Sequence, residues 1–245
     1  IILAGLKRAG KVPDEVMVSD INNEVLKRLK DEFPEIKIAL NDNTAPAEKE
    51  ILFLAIHPPV VPSVLNEIKA LIRPTTFLIS LAPKITIKNI LETIKCFPKI
   101  VRMIPNAGSV VNEGYNPIAF ADTVNQEEKE FLIKFFSVLG ECPVVPEEKL
   151  EAYAMITGMG PTYFWFQLNE LKEIAKNFNL TEKEAEDGIA KMINGTVKTL
   201  FELGLSPEQV MDLIPLRPLA DYEQQIKEAY HSKLEPLFKK LKGIA

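Results

Sequence analysis

A chain of 245 residues is long enough for two ordinary domains, each able to bury a core without disulfide or metal staples. A hydrophobic fraction of 47%, a charged fraction of 26% and a net charge of −5 with no basic stripe describe a soluble globular protein and argue against nucleic acid as a main partner. Cys96 and Cys142 stand in no ligand or disulfide spacing, so no zinc site or disulfide framework is expected and idle thiols are the favoured reading. No apolar run approaches the roughly 18 residues that cross a bilayer, and no signal peptide opens the chain, so a cytoplasmic location without membrane contact is expected.

The first residues, 1–9, read as a helix closed by Gly10 and carry no initiator Met, which leads us to expect a further segment upstream. From there to residue 146, short apolar runs alternate with amphipathic stretches, the pattern of βα units on a parallel sheet. Strands are predicted over 15–19, 36–39, 51–56, 77–81, 100–104, 117–121 and 143–145; helices over 22–33, 59–72, 85–94 and 126–139, where apolar residues recur at 3.6-type spacing. The run Ile51-Leu-Phe-Leu-Ala-Ile56 is apolar throughout, which suits a strand covered on both faces of a doubly wound sheet. After Pro146 the β-type runs stop. Helices are predicted over 148–178, 182–203, 206–213 and 220–241, with Ser206 as an N-cap ahead of Pro207. The expected organisation is an α/β domain over 1–146 followed by an all-helical domain over 147–245.

Polar residues fall at the ends of several predicted strands. Asp20 closes the first of them; in a dinucleotide-binding βαβ unit such an acid accepts hydrogen bonds from ribose hydroxyls and repels a 2′-phosphate. An Asp before Asn22 is equally an ordinary helix cap, and the spacing leaves both readings open. His57, after the central strand, fits either a ribose or phosphate contact or a solvated loop. Arg102 could pair with a carboxylate or snorkel, and Asn106 beside Pro105 could be a turn residue. Gly158 and Gly160 precede a helix, where exposed N–H groups could hold an anion or where only glycine fits a tight helix junction. The aromatic run 164–166 reads as domain or dimer core. His57 and His231 lie in different regions and form neither a triad nor a metal site, so no metal is expected.

Four of these segments, in order and at matching spacing, resemble the pyrroline-5-carboxylate reductase family. Residues 53–65 resemble its F-L-A-V-K-P stretch and Leu78-Ile-Ser-Leu-Ala-Pro83 its I-S-x-A-A-G. Val101-Arg-Met-Ile-Pro-Asn106 resembles V-R-x-M-P-N, and Thr157-Gly-Met-Gly-Pro-Thr-Tyr163 resembles S-G-S-G-P-A-Y. The resemblance implies a Rossmann domain, a helical domain that forms a homodimer or larger assembly, and NAD(P)H-dependent reduction of a small cyclic imine, 1-pyrroline-5-carboxylate, to L-proline. It places cofactor contacts on Asp20, Asp42, Asn43, Ala55, Ile56, His57, Pro58, Leu81, Ala82 and Asn106, with the nicotinamide against the Ala82-Pro83 turn. The substrate site falls on Gly158, Met159, Gly160, Thr162 and Asn169; no residue is assigned as an acid or base. A glycine-rich phosphate loop is expected upstream of Ile1. With no Arg close behind Asp20, the cofactor leans to NAD.

Departures from the family are concentrated at the substrate. His57 stands where Lys is usual, Met159 where Ser is usual and Asn169 where an acid is usual. The S-P-G-G-T-T loop has no counterpart: residues 212–220 lead almost directly into the last helix. Two other functions therefore stay open. One is a dinucleotide-binding protein with altered catalysis, acting as a sensor or assembly partner. The other is a β-hydroxyacid-dehydrogenase-like enzyme, against which stands Trp165 at the position of that class's Lys.

Overall fold

A computed structural model describes residues 1–243 apart from Lys95 and Phe97. The chain divides into two compact units, Ile1–Met159 with Phe238–Ala245, and Gly160–Leu237.

The first unit opens with α1 (Ile2–Arg8), which ends at Gly10 in the left-handed region, φ +63°. Strand β1 (Met17–Asp20), α2 (Asn23–Glu32) and β2 (Lys37–Leu40) form a right-sized βαβ unit, with β1 and β2 paired in parallel and Asp20 opposite Leu40. Helix α2 starts where it does because Asn22 Oδ1 accepts the Glu24 and Val25 amides. A single turn, α3 (Thr44–Ala47), leads to β3 (Ile51–Leu54), then α4 (Val61–Ile68), β4 (Phe77–Ser80), α5 (Ile87–Ile94) and β5 (Lys99–Met103). Strands β3, β4 and β5 are parallel neighbours, with Leu54 opposite Ser80 and Ser80 opposite Arg102. These five strands thus fall into two hydrogen-bonded groups, β1–β2 and β3–β4–β5.

Alternation along the strands sorts the core onto two faces. Leu78 and Ile100 pack with Leu52, Leu65, Ile68 and Ile90 beneath α4 and α5. Ile79 and Val101 point the other way, onto Leu6 of α1 and onto Leu132 and Phe136. Each such Leu, Ile or Phe contributes about 1.5–3 kcal/mol by leaving water. This is the expected doubly wound, Rossmann-type α/β arrangement, and its all-apolar β3 is explained by cover on both sides.

Beyond β5 the chain departs from simple βα alternation. Only a 3₁₀ turn (Ala107–Val111) and a two-residue strand β6 (Gly114–Tyr115) precede β7 (Ile118–Phe120). No helix carries the chain back across the sheet, so β7 returns antiparallel to β5, with Met103 opposite Ile118. After α6 (Gln126–Phe136), β8 (Gly140–Glu141) pairs with β6. The strand predicted over 143–145 reduces to one bridge, Val144 to Ile118, because Pro143 and Pro146 lack the N–H groups a ladder needs.

The long helix predicted over 148–178 is interrupted. A 3₁₀ turn (Glu147–Lys149), α7 (Leu150–Tyr153) and a π turn (Ala154–Gly158) precede α8 (Pro161–Asn177). The π turn is closed by the Met159 amide on the Ala154 carbonyl at 2.9 Å, and the next helix restarts at Pro161, whose missing N–H is tolerated only in a first turn. In the second unit α8 is followed by α9 (Glu182–Glu202), α10 (Pro207–Met211) and α11 (Ala220–Lys242), the last of which ends in the first unit. Thr181 and Ser206 start α9 and α10 with reciprocal capping boxes. Among the described residues no helix is long and apolar enough to cross a membrane.

Candidate functional site

Parallel strands end on one edge, and there the backbone turns away and leaves room for a ligand. Just beyond β3 and β4 the Leu81 amide donates to the Leu54 carbonyl at 3.1 Å, closing the sheet. Past that bond lies a cleft of about 330 Å³ lined by Ala55, Ile56, His57, Pro58, Leu81 and Pro83. Five of the six are residues expected from the sequence to contact a cofactor. Ala82, also expected there, is buried beneath the turn, and Pro83 takes its place in the wall. The lining is mostly apolar, with the exposed His57 as its one titratable side chain.

At the end of β1, Asp20 accepts the Asn22 amide on Oδ1 at 2.7 Å, while Asn22 itself caps α2. The capping role therefore belongs to Asn22, and Asp20 presents its carboxylate beside the helix N-terminus. Asp42 is committed locally. Its Oδ1 accepts the Thr44 hydroxyl at 2.6 Å and the Thr44 amide at 2.9 Å, and these bonds hold its pKa below the ordinary carboxylate value. Asn43 accepts the Ser19 hydroxyl at 3.2 Å and donates to Glu67 at 2.9 Å, which ties the end of β1 to α4.

Asn106 sits apart from the cleft with its polar groups spent internally. Its Oδ1 accepts the Gly108 amide at 2.8 Å, its Nδ2 donates to the Thr157 carbonyl, and its own amide donates to Asn116. It is a joint between the 3₁₀ turn and the π turn. In that π turn, a Cβ on Gly158 would come within 3.2 Å of Ile104 Cγ2, a tight contact that a larger residue would meet only by displacing Ile104 by a few tenths of an ångström. Met159 ends the first unit. Gly160, Thr162 and Asn169 belong to the second, where Gly160 is helical (φ −47°, ψ −42°) and Thr162 and Asn169 are exposed along α8.

Arg102 resolves in favour of pairing. It is 1% exposed, donates from Nη1 to Glu147 at 2.9 Å and from Nη2 to Glu151 at 2.7 Å. Burial pushes the Glu151 carboxyl up, but the Arg102 hydrogen bond and charge outweigh it and the net pKa is lowered. Neither glutamate was singled out from the sequence; the available signal was their spacing of four beside the apolar Leu150 and Ala154. Both thiols have raised pKa values from burial, Cys142 to about 11, which makes them poor nucleophiles. No cluster of three or more His, Cys, Asp or Glu suited to a metal occurs among the described residues.

Comparison with known proteins agrees with this architecture. Residues 1–84 match the family described as NADP oxidoreductase, coenzyme F420-dependent. The chain is 25% identical over 215 residues to a pyrroline-5-carboxylate reductase 1 of Bacillus subtilis, covering 87% of this chain and 72% of that one. It is also 25% identical over 214 residues to a pyrroline-5-carboxylate reductase of Methanosarcina acetivorans, covering 87% and 79%. The fold matches a Plasmodium falciparum pyrroline carboxylate reductase solved with NADP bound, with a TM-score of 0.81 at 21% identity over 99% of this chain and 92% of that one. Fold and relatives together define an NAD(P)-type oxidoreductase built from a Rossmann domain and a helical domain. Within that class, the chain is similar to pyrroline-5-carboxylate reductases, at about 25% identity over most of its length.

Proposed function

We propose that this protein reduces a small cyclic imine, 1-pyrroline-5-carboxylate or a related imine or ketone, with a reduced nicotinamide dinucleotide, and that it works as a homodimer in the cytoplasm. The observation that carries the reading is the cleft at the carboxyl edge of β3 and β4, whose apolar wall of Ala55, Ile56, Pro58, Leu81 and Pro83 suits a flat ring and whose rim carries His57. The bound dinucleotide supplies the hydride. The protein's part is positioning: the wall sets the plane of the ring, Asp20 receives ribose hydroxyls, and the cleft keeps water from one face of the reacting pair. Positioning of this kind asks for no acid–base side chain, and His57 is the one titratable group at the cleft's rim. Asp20 favours NAD, since a 2′-phosphate would bring its charge against that carboxylate.

The decisive experiment incubates the full-length protein with 1-pyrroline-5-carboxylate and either NADH or NADPH and follows loss of the reduced cofactor. Turnover, faster with NADH, is expected. Tight NADH binding without turnover of any imine or keto acid would instead favour a sensor or assembly partner, the reading suggested by the short 212–220 connection. Absence of binding at millimolar dinucleotide would sink both.

A further inference from the structure

The turn after β4 is held in a shape it would not keep alone. Lys84 has φ +72°, a left-handed conformation that disfavours any residue with a Cβ. Its amide donates to Glu151 Oε1 at 3.3 Å, and the amide of Ile87 donates to Glu147 Oε1 at 2.7 Å. Those same two oxygens receive the Arg102 guanidinium. Arg102 lies on β5 directly opposite Ser80, the last residue of β4, from which the turn departs. Lys242, also in the first unit, adds an ammonium 3.8 Å from Glu151 Oε2 and a hydrogen bond to the Glu148 carbonyl.

We infer that the buried Arg102–Glu147–Glu151 cluster is a clamp that holds the strained turn containing Leu81, Pro83 and Lys84, and so sets one wall of the cleft. A buried ion pair is a poor way simply to glue residues 147–151 onto the sheet, because apolar side chains of similar size would do so without desolvating charge. What apolar residues cannot do is accept two backbone N–H groups, and charged acceptors do this best. Arg102 places and neutralises the two carboxylates; the carboxylates place the turn. These three are positioning residues, and their relevance to catalysis rests on the reading that the cleft takes the nicotinamide end of a dinucleotide.

The test uses the full-length protein with Glu151→Ala and Glu147→Ala, each with and without Lys84→Gly. Amide exchange at positions 84 and 87 and NADH affinity by fluorescence titration are read alongside thermal stability. Release of the clamp is expected to speed exchange in the turn by about tenfold or more while leaving α6 protected. It should weaken NADH by about tenfold, the scale set by one strained backbone residue. In the Glu151→Ala background, Lys84→Gly should restore most of the affinity, because glycine holds φ +72° without help, yet should not restore the thermal stability lost with the ion pair. Unchanged exchange in both glutamate variants would overturn the inference, as would an affinity loss that merely follows stability and is not rescued at position 84. If Glu151→Ala does not fold, Glu151→Gln, which keeps an acceptor oxygen for the Lys84 amide, and Glu147→Ala, whose side chain is 29% exposed and which releases the Ile87 amide, carry the exchange and affinity readings. Faster exchange at position 87 with weaker NADH binding in Glu147→Ala supports the clamp, and unchanged exchange in both overturns it. Should the wild type fail to bind NADH, the cofactor reading falls, and the exchange data still decide the clamp.

Discussion

One oxygen of Asp20 is held by the Asn22 amide, which fixes the carboxylate at the end of β1 without satisfying its second oxygen in that turn. A fixed anion there discriminates by charge. Asp20→Ser is expected to move the ratio of kcat/KM for NADPH over NADH upward by about tenfold or more, since like-charge juxtaposition costs several kcal/mol; steady-state kinetics with both cofactors checks it, and an unmoved ratio would remove Asp20 from the site. A second residue-scale effect concerns packing alone. Gly140 has φ +121°, and a Cβ there would sit 2.1 Å from the Gly114 carbonyl oxygen and 2.3 Å from its nitrogen. Both obstacles are backbone and cannot swing aside. Gly140→Ala should therefore cost about 3 kcal/mol or more, the sum of a Gly-only conformation and an overpacked contact, measured as a lowered urea midpoint with unchanged slope.

Helix α6 owes its start to a reciprocal cap, in which Asn125 Oδ1 accepts the Glu128 amide and Glu128 accepts the Asn125 amide, each at 3.0 Å. Asn125→Ala is expected to cost about 1 kcal/mol in thermal or urea unfolding. Glu128 also pairs with Lys99 at the start of β5, and that hydrogen bond leads the causes that lower its pKa. Glu15, between Lys37 and Lys49 at 2.8 Å each, is pulled to about 2. Folded values below the unfolded ones give stabilisation that is complete above a free carboxylate's pKa of about 4.3 and drains away as pH falls toward the folded values. Unfolding temperatures should hold level from pH 7 to about 5 and then decline toward 2, and Glu128→Gln should flatten part of that decline. Such elements were legible in sequence because their signals are local: the 3.6-type apolar spacing over 126–139, or the unbroken apolar run of β3. The antiparallel direction of β7, the β6–β8 pairing and the π turn were not, since each depends on how much chain is available to return or on backbone approach at Gly114 and Gly140. Strand ends pointed only to His57, and the rest of the cleft's lining came from the family resemblance, whereas the Arg102 cluster joins residues 45 and 49 positions apart and leaves no periodic trace.

At the scale of the whole molecule the two units differ in how they are sustained. The first has cores on both faces of its sheet. In the second, α8 and α11 bury no side chain and α9 buries only Ala185, while Trp165, Phe166, Phe178 and Phe201 are 56%, 68%, 72% and 76% exposed. Residues 164–166 are consecutive aromatics on a helix, so they face outward in steps of about 100° and no single neighbouring helix can cover all three. A second copy wrapping this unit from more than one side is the occupant that fits the proposed homodimer, and monomers seldom leave so much apolar surface to water. Trp165→Glu and Phe166→Glu should each weaken the dimer by about 2 kcal/mol or more, roughly thirtyfold in dissociation constant, read by sedimentation equilibrium. Because the helical unit would lose its core on dissociation while the first keeps its own, melting should show a component whose temperature rises with protein concentration and another that does not. A wild-type chain that sediments as a stable, fully helical monomer at micromolar concentration, with both components independent of concentration, would rule out this account of the exposed aromatics.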